Sequence, residues 1–207
     1  MNNSKPAIIF DLGGVLIDWN PRHLYRQLFD DEAAMEKFLS EVCTPHWNEQ
    51  QDAGRPFADA VELLVAEHPQ SEHHIRAYWD RWLEMIGGEI EPTVTVMAEL
   101  KAAGYPLYGL SNWSAETFKR TRHLFEFLDW FEDLVISGEV KLIKPDPRIF
   151  ELLLRKIGRP SHECVYIDDS AANVSAAERL GFEAILFSSA AQLRKELAGL
   201  GVVHPEE

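Results

Sequence analysis

Four short apolar runs in this sequence each end in groups that can do chemistry. Ala7-Ile8-Ile9-Phe10 stops at Asp11, just before Gly13-Gly14. A run at residues 105–110 ends in Ser111-Asn112, and one at 133–137 leads into Lys144-Pro145-Asp146. Cys164-Val165-Tyr166-Ile167 ends in Asp168-Asp169. A lone carboxylate can act as a nucleophile, and adjacent carboxylates are hard oxygen donors suited to a divalent cation. A lysine can neutralise an anion, and a serine hydroxyl can hold its oxygens. These groups cooperate only if the four run ends meet, and the elements between them decide that.

The apolar runs read as buried strands and the segments between them as helices. After Gly104 the order is strand, helix, strand, helix, with helices at residues 114–124, 147–157, 171–180 and 190–197 and a last strand at 184–187. Gly158 and Gly181 close two of the helices, as glycine commonly does. Alternating strands and helices with wholly apolar strands predict an α/β fold with a doubly wound parallel sheet covered on both faces. In such a sheet, ligands bind at the carboxyl ends of the strands, so all four run ends converge on one rim. Residues 19–92 show helical periodicity and no strand-like alternation. The chain therefore divides into a core (1–18 and 93–207) interrupted after the first strand by a helical insertion (19–92). Residues 202–207 read as a frayed polar tail.

Composition narrows the partners. The 207 residues carry 20 Lys and Arg against 34 Asp and Glu, a formal net charge of −14. The insertion alone holds 15 acidic and 6 basic residues, so −9 of that charge sits there. Such a surface repels a phosphate backbone, which argues against nucleic acid. Two distant cysteines, Cys43 and Cys164, show no disulfide framework. No apolar run is long enough to span a membrane, and the N-terminal run is too short for a signal-peptide core. A cytoplasmic protein is the expectation. The histidines have no zinc-type spacing. Asp146 reads as the N-cap of the helix at Pro147, and Asn173 as a support for the acidic loop.

Phe10-Asp11-Leu12-Gly13-Gly14-Val15-Leu16, Leu110-Ser111-Asn112, Lys144-Pro145-Asp146 and Tyr166-Ile167-Asp168-Asp169 together resemble the four ordered motifs of the haloacid dehalogenase-like (HAD) hydrolase superfamily. The resemblance covers nearly the whole chain, including the place of a helical cap, and extends to α-glucose-1-phosphatase-like members. It implies that Asp11 attacks phosphorus to form an aspartyl phosphate. Mg²⁺ would be held by Asp11, the Gly13 backbone carbonyl, Asp168 and Asp169. Lys144 would pair with the phosphate and keep Asp11 ionised, with Ser111, Asn112 and the start of the helix near Ser114 binding phosphoryl oxygens. The implied substrate is a small phosphorylated metabolite, such as a sugar phosphate, with Trp19 or Trp47 as candidate stacking partners.

The departure is Gly13, where phosphatases of the superfamily usually carry a second Asp that protonates the leaving group. A substrate with an easier leaving group, or a substitute acid such as Asp18 or a cap residue, would account for it. A weakly active binding or regulatory protein would too. The dehalogenase branch also lacks that acid, but typically reads Asp-x-Tyr-Gly-Thr at its first motif and Ser-Asn at its fourth. Here Gly13-Gly14-Val15 and Asp168-Asp169 stand instead.

Overall fold

The computed structural model describes residues 5–202. Five strands form a parallel sheet: β1 (Ala7–Phe10), β4 (Leu107–Ser111), β5 (Asp133–Ile136), β6 (Cys164–Asp168) and β7 (Glu183–Leu186). Their spatial order is β5-β4-β1-β6-β7. β1 is central, with Phe10 opposite Gly109 on one side and Ile167 on the other. Asp11 therefore leaves the middle of the sheet, flanked by the ends of β4 and β6.

The alternation of side chains along each strand divides the interior in two. Ile8, Phe10, Val165 and Ile167 join one apolar cluster, while Ala7, Ile9, Tyr108, Leu110, Cys164 and Tyr166 join another. Helices α6 (Glu91–Ala102), α7 (Ala115–Thr121), α8 (Ser137–Val140), α9 (Pro147–Ile157), α10 (Ala171–Arg179) and α11 (Ala190–Gly199) alternate with the strands after β1. The Asp146 side chain accepts a hydrogen bond from the Arg148 N–H at 2.9 Å, the expected N-cap of α9.

The inserted segment contains α1 (Arg22–Tyr25), α2 (Glu32–Glu41), α3 (Pro45–Asp52), α4 (Phe57–Glu67) and α5 (Glu72–Asp80). Its aromatic residues Tyr25, Phe57, Tyr78 and Trp82 belong to the same apolar cluster as Phe10. One expectation is corrected here. The segment is not free of strands: β2 (Ile17–Trp19) pairs antiparallel with β3 (Ile86–Glu89). The β3 sequence, Ile-Gly-Gly-Glu, has no apolar alternation, and glycine disfavours strands, so no local signal announced it. At Gly87 a Cβ would overlap the Asp18 carboxylate, so a larger residue there would displace that side chain. The ribbon ties the two ends of the inserted segment together.

The tail expectation also changes in part. Val202 is buried and donates its N–H to Leu197 O at 2.9 Å. Residues 203–207 lie outside the described residues. Among the described residues no helix is long and apolar enough to cross a membrane, and both cysteines are free and buried.

Candidate active site

Asp11, Lys144 and Asp168 come together at the rim of the sheet. The Lys144 ammonium lies 2.9 Å from Asp11 Oδ2 and 2.7 Å from Asp168 Oδ2, and donates to the Leu110 carbonyl at 2.9 Å. An ammonium has three N–H donors, so these acceptors occupy all of them. Lys144 thus holds the two carboxylates directly and reaches a phosphate oxygen only by releasing one acceptor. Asn112 fixes the lysine's position: its amide accepts from the Lys144 N–H at 2.8 Å and donates to the Lys144 carbonyl at 3.0 Å.

The two carboxylates differ in electrostatics although they share one lysine. Burial pushes Asp168 up, but Lys144 and the donors from Tyr166 and the Ser170 N–H outweigh it, holding the carboxyl below its ordinary value. Asn173 adds hydrogen bonds of 3.0 and 3.1 Å to its two oxygens, the support expected for the acidic loop. Asp11 is raised, first by burial and then by the charge of Asp168, against the opposing pull of Lys144 and a hydrogen bond from Ser111. The carboxylate with more hydrogen-bond donors keeps the negative charge, and Asp11 needs more positive charge than the protein supplies.

Asp169 completes the acidic group. One carboxylate oxygen from each of Asp11, Asp168 and Asp169 lies within 4.8 Å of the others. The Asp168 oxygens already accept from Lys144, Tyr166, Ser170 and Asn173. Among the described residues Asp169 engages its own backbone N–H alone, and burial and the Asp168 charge raise its carboxyl. Asp11 Oδ1 accepts from the Leu12 N–H at 2.7 Å and its Oδ2 faces Lys144, so Asp169 has the most acceptor capacity left, and the set suits a hard divalent cation such as Mg²⁺.

Gly14 makes this cluster possible. Its φ is +73°, and a Cβ there would overlap the Asp169 carboxylate. Gly14→Ala is expected to weaken the apparent affinity for Mg²⁺ by roughly 10- to 100-fold, since misplacing a group that positions a ligand has that effect. Left-handed strain adds a stability loss of about 1–2 kcal/mol. A Mg²⁺ titration of activity and a thermal melt check both; an unchanged titration curve would count against Asp169 as a ligand.

Other candidates have different places. Trp47 is buried against Phe57 and Tyr78, edge to face at 6.2 and 5.1 Å between ring centroids, away from the rim. Asp18 pairs with His23 at 3.0 Å and is half exposed. It is Trp19, next to Asp18, that lines the cavity over the rim. The helix after Ser114 has 7 residues, and the Ser114 N–H is engaged by the carboxylate of Asp52.

A small cavity of about 60 Å³ lies over the rim, lined by Gly13, Trp19, Asn48, Asp52, Trp82, Asn112 and Trp113. Three of its residues, Trp19, Trp82 and Trp113, carry buried indole N–H groups without a hydrogen-bond partner. Such orphan donors cost on the order of 1–3 kcal/mol each. A groove of about 440 Å³ shares Trp19, Asn48, Asp52 and Asn112 and continues along the inserted helices. Sequence reasoning missed Asn48, Asp52, Trp82 and Trp113. Three of them sit in the inserted segment or its margin, where helical periodicity gives no hint of which residues face the sheet.

Residues 5–181 match the family model for haloacid dehalogenase-like hydrolase. Sesquiterpene phosphatase astK of Aspergillus oryzae is 25% identical, with 84% of this chain and 86% of that protein covered. (S)-2-haloacid dehalogenase of Pseudomonas putida is 32% identical, but over only 44% of this chain and 40% of that protein. A HAD family enzyme from Bacteroides thetaiotaomicron, solved with magnesium and inorganic phosphate, superposes with a TM-score of 0.66 at 26% identity, covering 90% of this chain and 96% of that one. With the parallel sheet, the rim carboxylates and a family match over residues 5–181, the chain belongs to the haloacid dehalogenase-like hydrolases.

Proposed function

We propose that the protein is a Mg²⁺-dependent phosphomonoester hydrolase acting through an aspartyl phosphate on a small phosphorylated metabolite. The observation that carries this reading is the cluster of Asp11, Asp168 and Asp169 beside Lys144, whose carboxylate oxygens lie within 4.8 Å of one another. The relatives fit it, since one is a phosphatase and another holds magnesium and phosphate.

In this reading Asp11 is the nucleophile. Asp11, Asp169 and the Gly13 carbonyl hold the cation, with Asp168 contributing its charge and orienting Lys144. The bound cation supplies the positive charge that keeps Asp11 ionised and neutralises the phosphoryl oxygens. Ser111 releases its hydrogen bond from Asp11 to a phosphoryl oxygen. Asn112 lines the cavity but acts chiefly by fixing Lys144. Residues 19–92 serve as a cap that closes over the rim and excludes bulk water. Trp19, Trp82 and Trp113 line the cavity with aromatic surface that can stack on a sugar ring, which favours a sugar phosphate.

The dehalogenase reading is the alternative. It requires Asp11 to attack carbon as a bare carboxylate, and burial and Asp168 work against its ionisation. Phosphate release should be measured over sugar phosphates, nucleotides and prenyl phosphates, with chloride release from 2-chloropropionate, each with Mg²⁺ and after chelation. Phosphate release lost on chelation and restored by Mg²⁺ is the expected outcome. Chloride release that survives chelation would replace this reading with the dehalogenase one. Tight binding of a phosphate analogue without turnover of any substrate would instead favour a binding or regulatory protein.

A further inference from the structure

We propose that Asp52, delivered by the inserted helices, carries the proton for the leaving oxygen, filling the role left vacant at Gly13. The inference rests on the phosphatase reading.

Placement comes first. Asp52 is the last residue of α3 and lines the same cavity as Gly13, Asn112 and Trp113. The starts of two core helices, α7 and α8, pin it to the rim. Ser137 Oγ donates to the Asp52 carbonyl at 2.6 Å, and the Ser114 N–H meets its carboxylate. Asn48 Nδ2, one turn earlier, donates to Asp52 Oδ2 at 2.9 Å, and Tyr78 donates to Asn48 Oδ1 at 3.0 Å. Nothing stands within 4 Å of where a Gly13 Cβ would be. The position where an acid is usually supplied is therefore open, and a second carboxyl borders that space.

The chemistry agrees with the placement. A carboxylate at a helix C-terminus faces the negative end of the helix dipole, an unfavourable position without some other purpose. Burial pushes Asp52 up to about 7, and Glu49 and Asp11 add to the rise against the Ser114 N–H. A carboxyl of this kind is protonated often enough to donate near neutral pH and basic enough to accept afterwards. No cationic side chain is recorded in contact with the Asp52 carboxylate among the described residues.

The two half-reactions balance. In the first, Asp11 Oδ forms a bond to phosphorus while the bond from phosphorus to the leaving oxygen breaks. The electron pair goes to that oxygen, which takes the Asp52 proton and departs as an alcohol. In the second, Asp52 accepts a proton from water as the water oxygen bonds to phosphorus. The bond from phosphorus to Asp11 breaks, its electron pair returns to the carboxylate, and phosphate leaves with Asp52 protonated again.

The test is Asp52→Asn, which preserves size and the contact with Asn48. The probes are phenyl phosphate, whose leaving group needs a proton, and p-nitrophenyl phosphate, whose leaving group does not. The parameter kcat/KM reports the steps up to loss of the leaving group. It is expected to fall about 10²- to 10³-fold for phenyl phosphate and less than about 10-fold for p-nitrophenyl phosphate. The ratio of the two cancels any change in the amount of folded enzyme. Rapid mixing with p-nitrophenyl phosphate should show a burst of nitrophenolate, because the second half-reaction also lacks its base. Equal losses on both esters with no burst would overturn the role of Asp52 while leaving the hydrolase reading intact. Wild-type enzyme inert toward both esters, with and without Mg²⁺, would end the hydrolase reading and this inference with it.

Discussion

Asp11→Asn is expected to lower turnover by roughly 10⁴-fold or more, because loss of a nucleophile removes the reaction path and not merely a contact. The same variant should melt at or above the wild-type temperature near neutral pH. Asp11 is buried and its carboxyl is raised. A carboxyl raised on folding contributes fully below its unfolded value of 3.8, and that contribution is lost as pH rises through the higher folded value. Removing the charge therefore relieves strain that grows with pH. Lys144 still has Asp168 and the Leu110 carbonyl as partners. An inactive protein with undiminished stability separates chemistry from folding, as expected where an active site is held at a cost. Appreciable turnover in a clean preparation, or a clear drop in melting temperature, would contradict the assignment.

Lys144→Met is expected to be the most destabilising substitution at the site. The ammonium is buried between Asp11 and Asp168, and removing one partner of a buried ion pair costs about 3–5 kcal/mol. That is a large share of a total stability of about 5–15 kcal/mol. The sign of its pH dependence follows from the two partners. The lowered Asp168 carboxyl contributes stability above its unfolded value of 3.8 and loses it as pH falls through the folded value. Burial pulls Lys144 down, but Asp11 and Asp168 outweigh it and raise it above 10.5, so its contribution is lost only as pH rises past that range. The pair therefore stabilises the fold across neutral pH. In the variant both carboxylates lose their countercharge and bind protons more readily. The deficit should widen as pH rises from mildly acidic to mildly alkaline. Urea unfolding of both proteins at the two ends of that range measures it, and a deficit independent of pH would refute the account.

The sheet and its rim were legible because their signals are local. Ala7-Ile8-Ile9-Phe10 and Cys164-Val165-Tyr166-Ile167 are wholly apolar, as strands covered on both faces must be, and each ends in a carboxylate. Asp11, Lys144 and Asp168 could be named from run ends alone because parallel strands present their carboxyl ends to one side. Asn112 was legible as a site residue but not in its role, since its partner is the backbone of Lys144, 32 residues away. The β2–β3 ribbon was invisible because Gly87 and Gly88 carry no pattern, and the pairing of Gly88 with Asp18 and Glu89 with Ile17 makes this segment a strand.

By itself the sequence determined the parallel α/β core, and it pointed to an inserted helical segment and to Asp11, Ser111, Lys144, Asp168 and Asp169 as candidates. Hydrophobic periodicity and polar strand ends are properties of neighbouring residues, readable without a fold. Tertiary structure alone decided what faces that set from above. Asp52 and Asn48 share a helix turn with nothing to distinguish them from solvated residues, and Asp18 was the more visible acid. The closing of the inserted segment over the rim turned Trp19 toward the cavity, turned Asp18 toward His23, and brought Asp52 beside the open position at Gly13. The orientation of one packed layer over another depends on contacts between residues distant in the chain, and no local pattern encodes it.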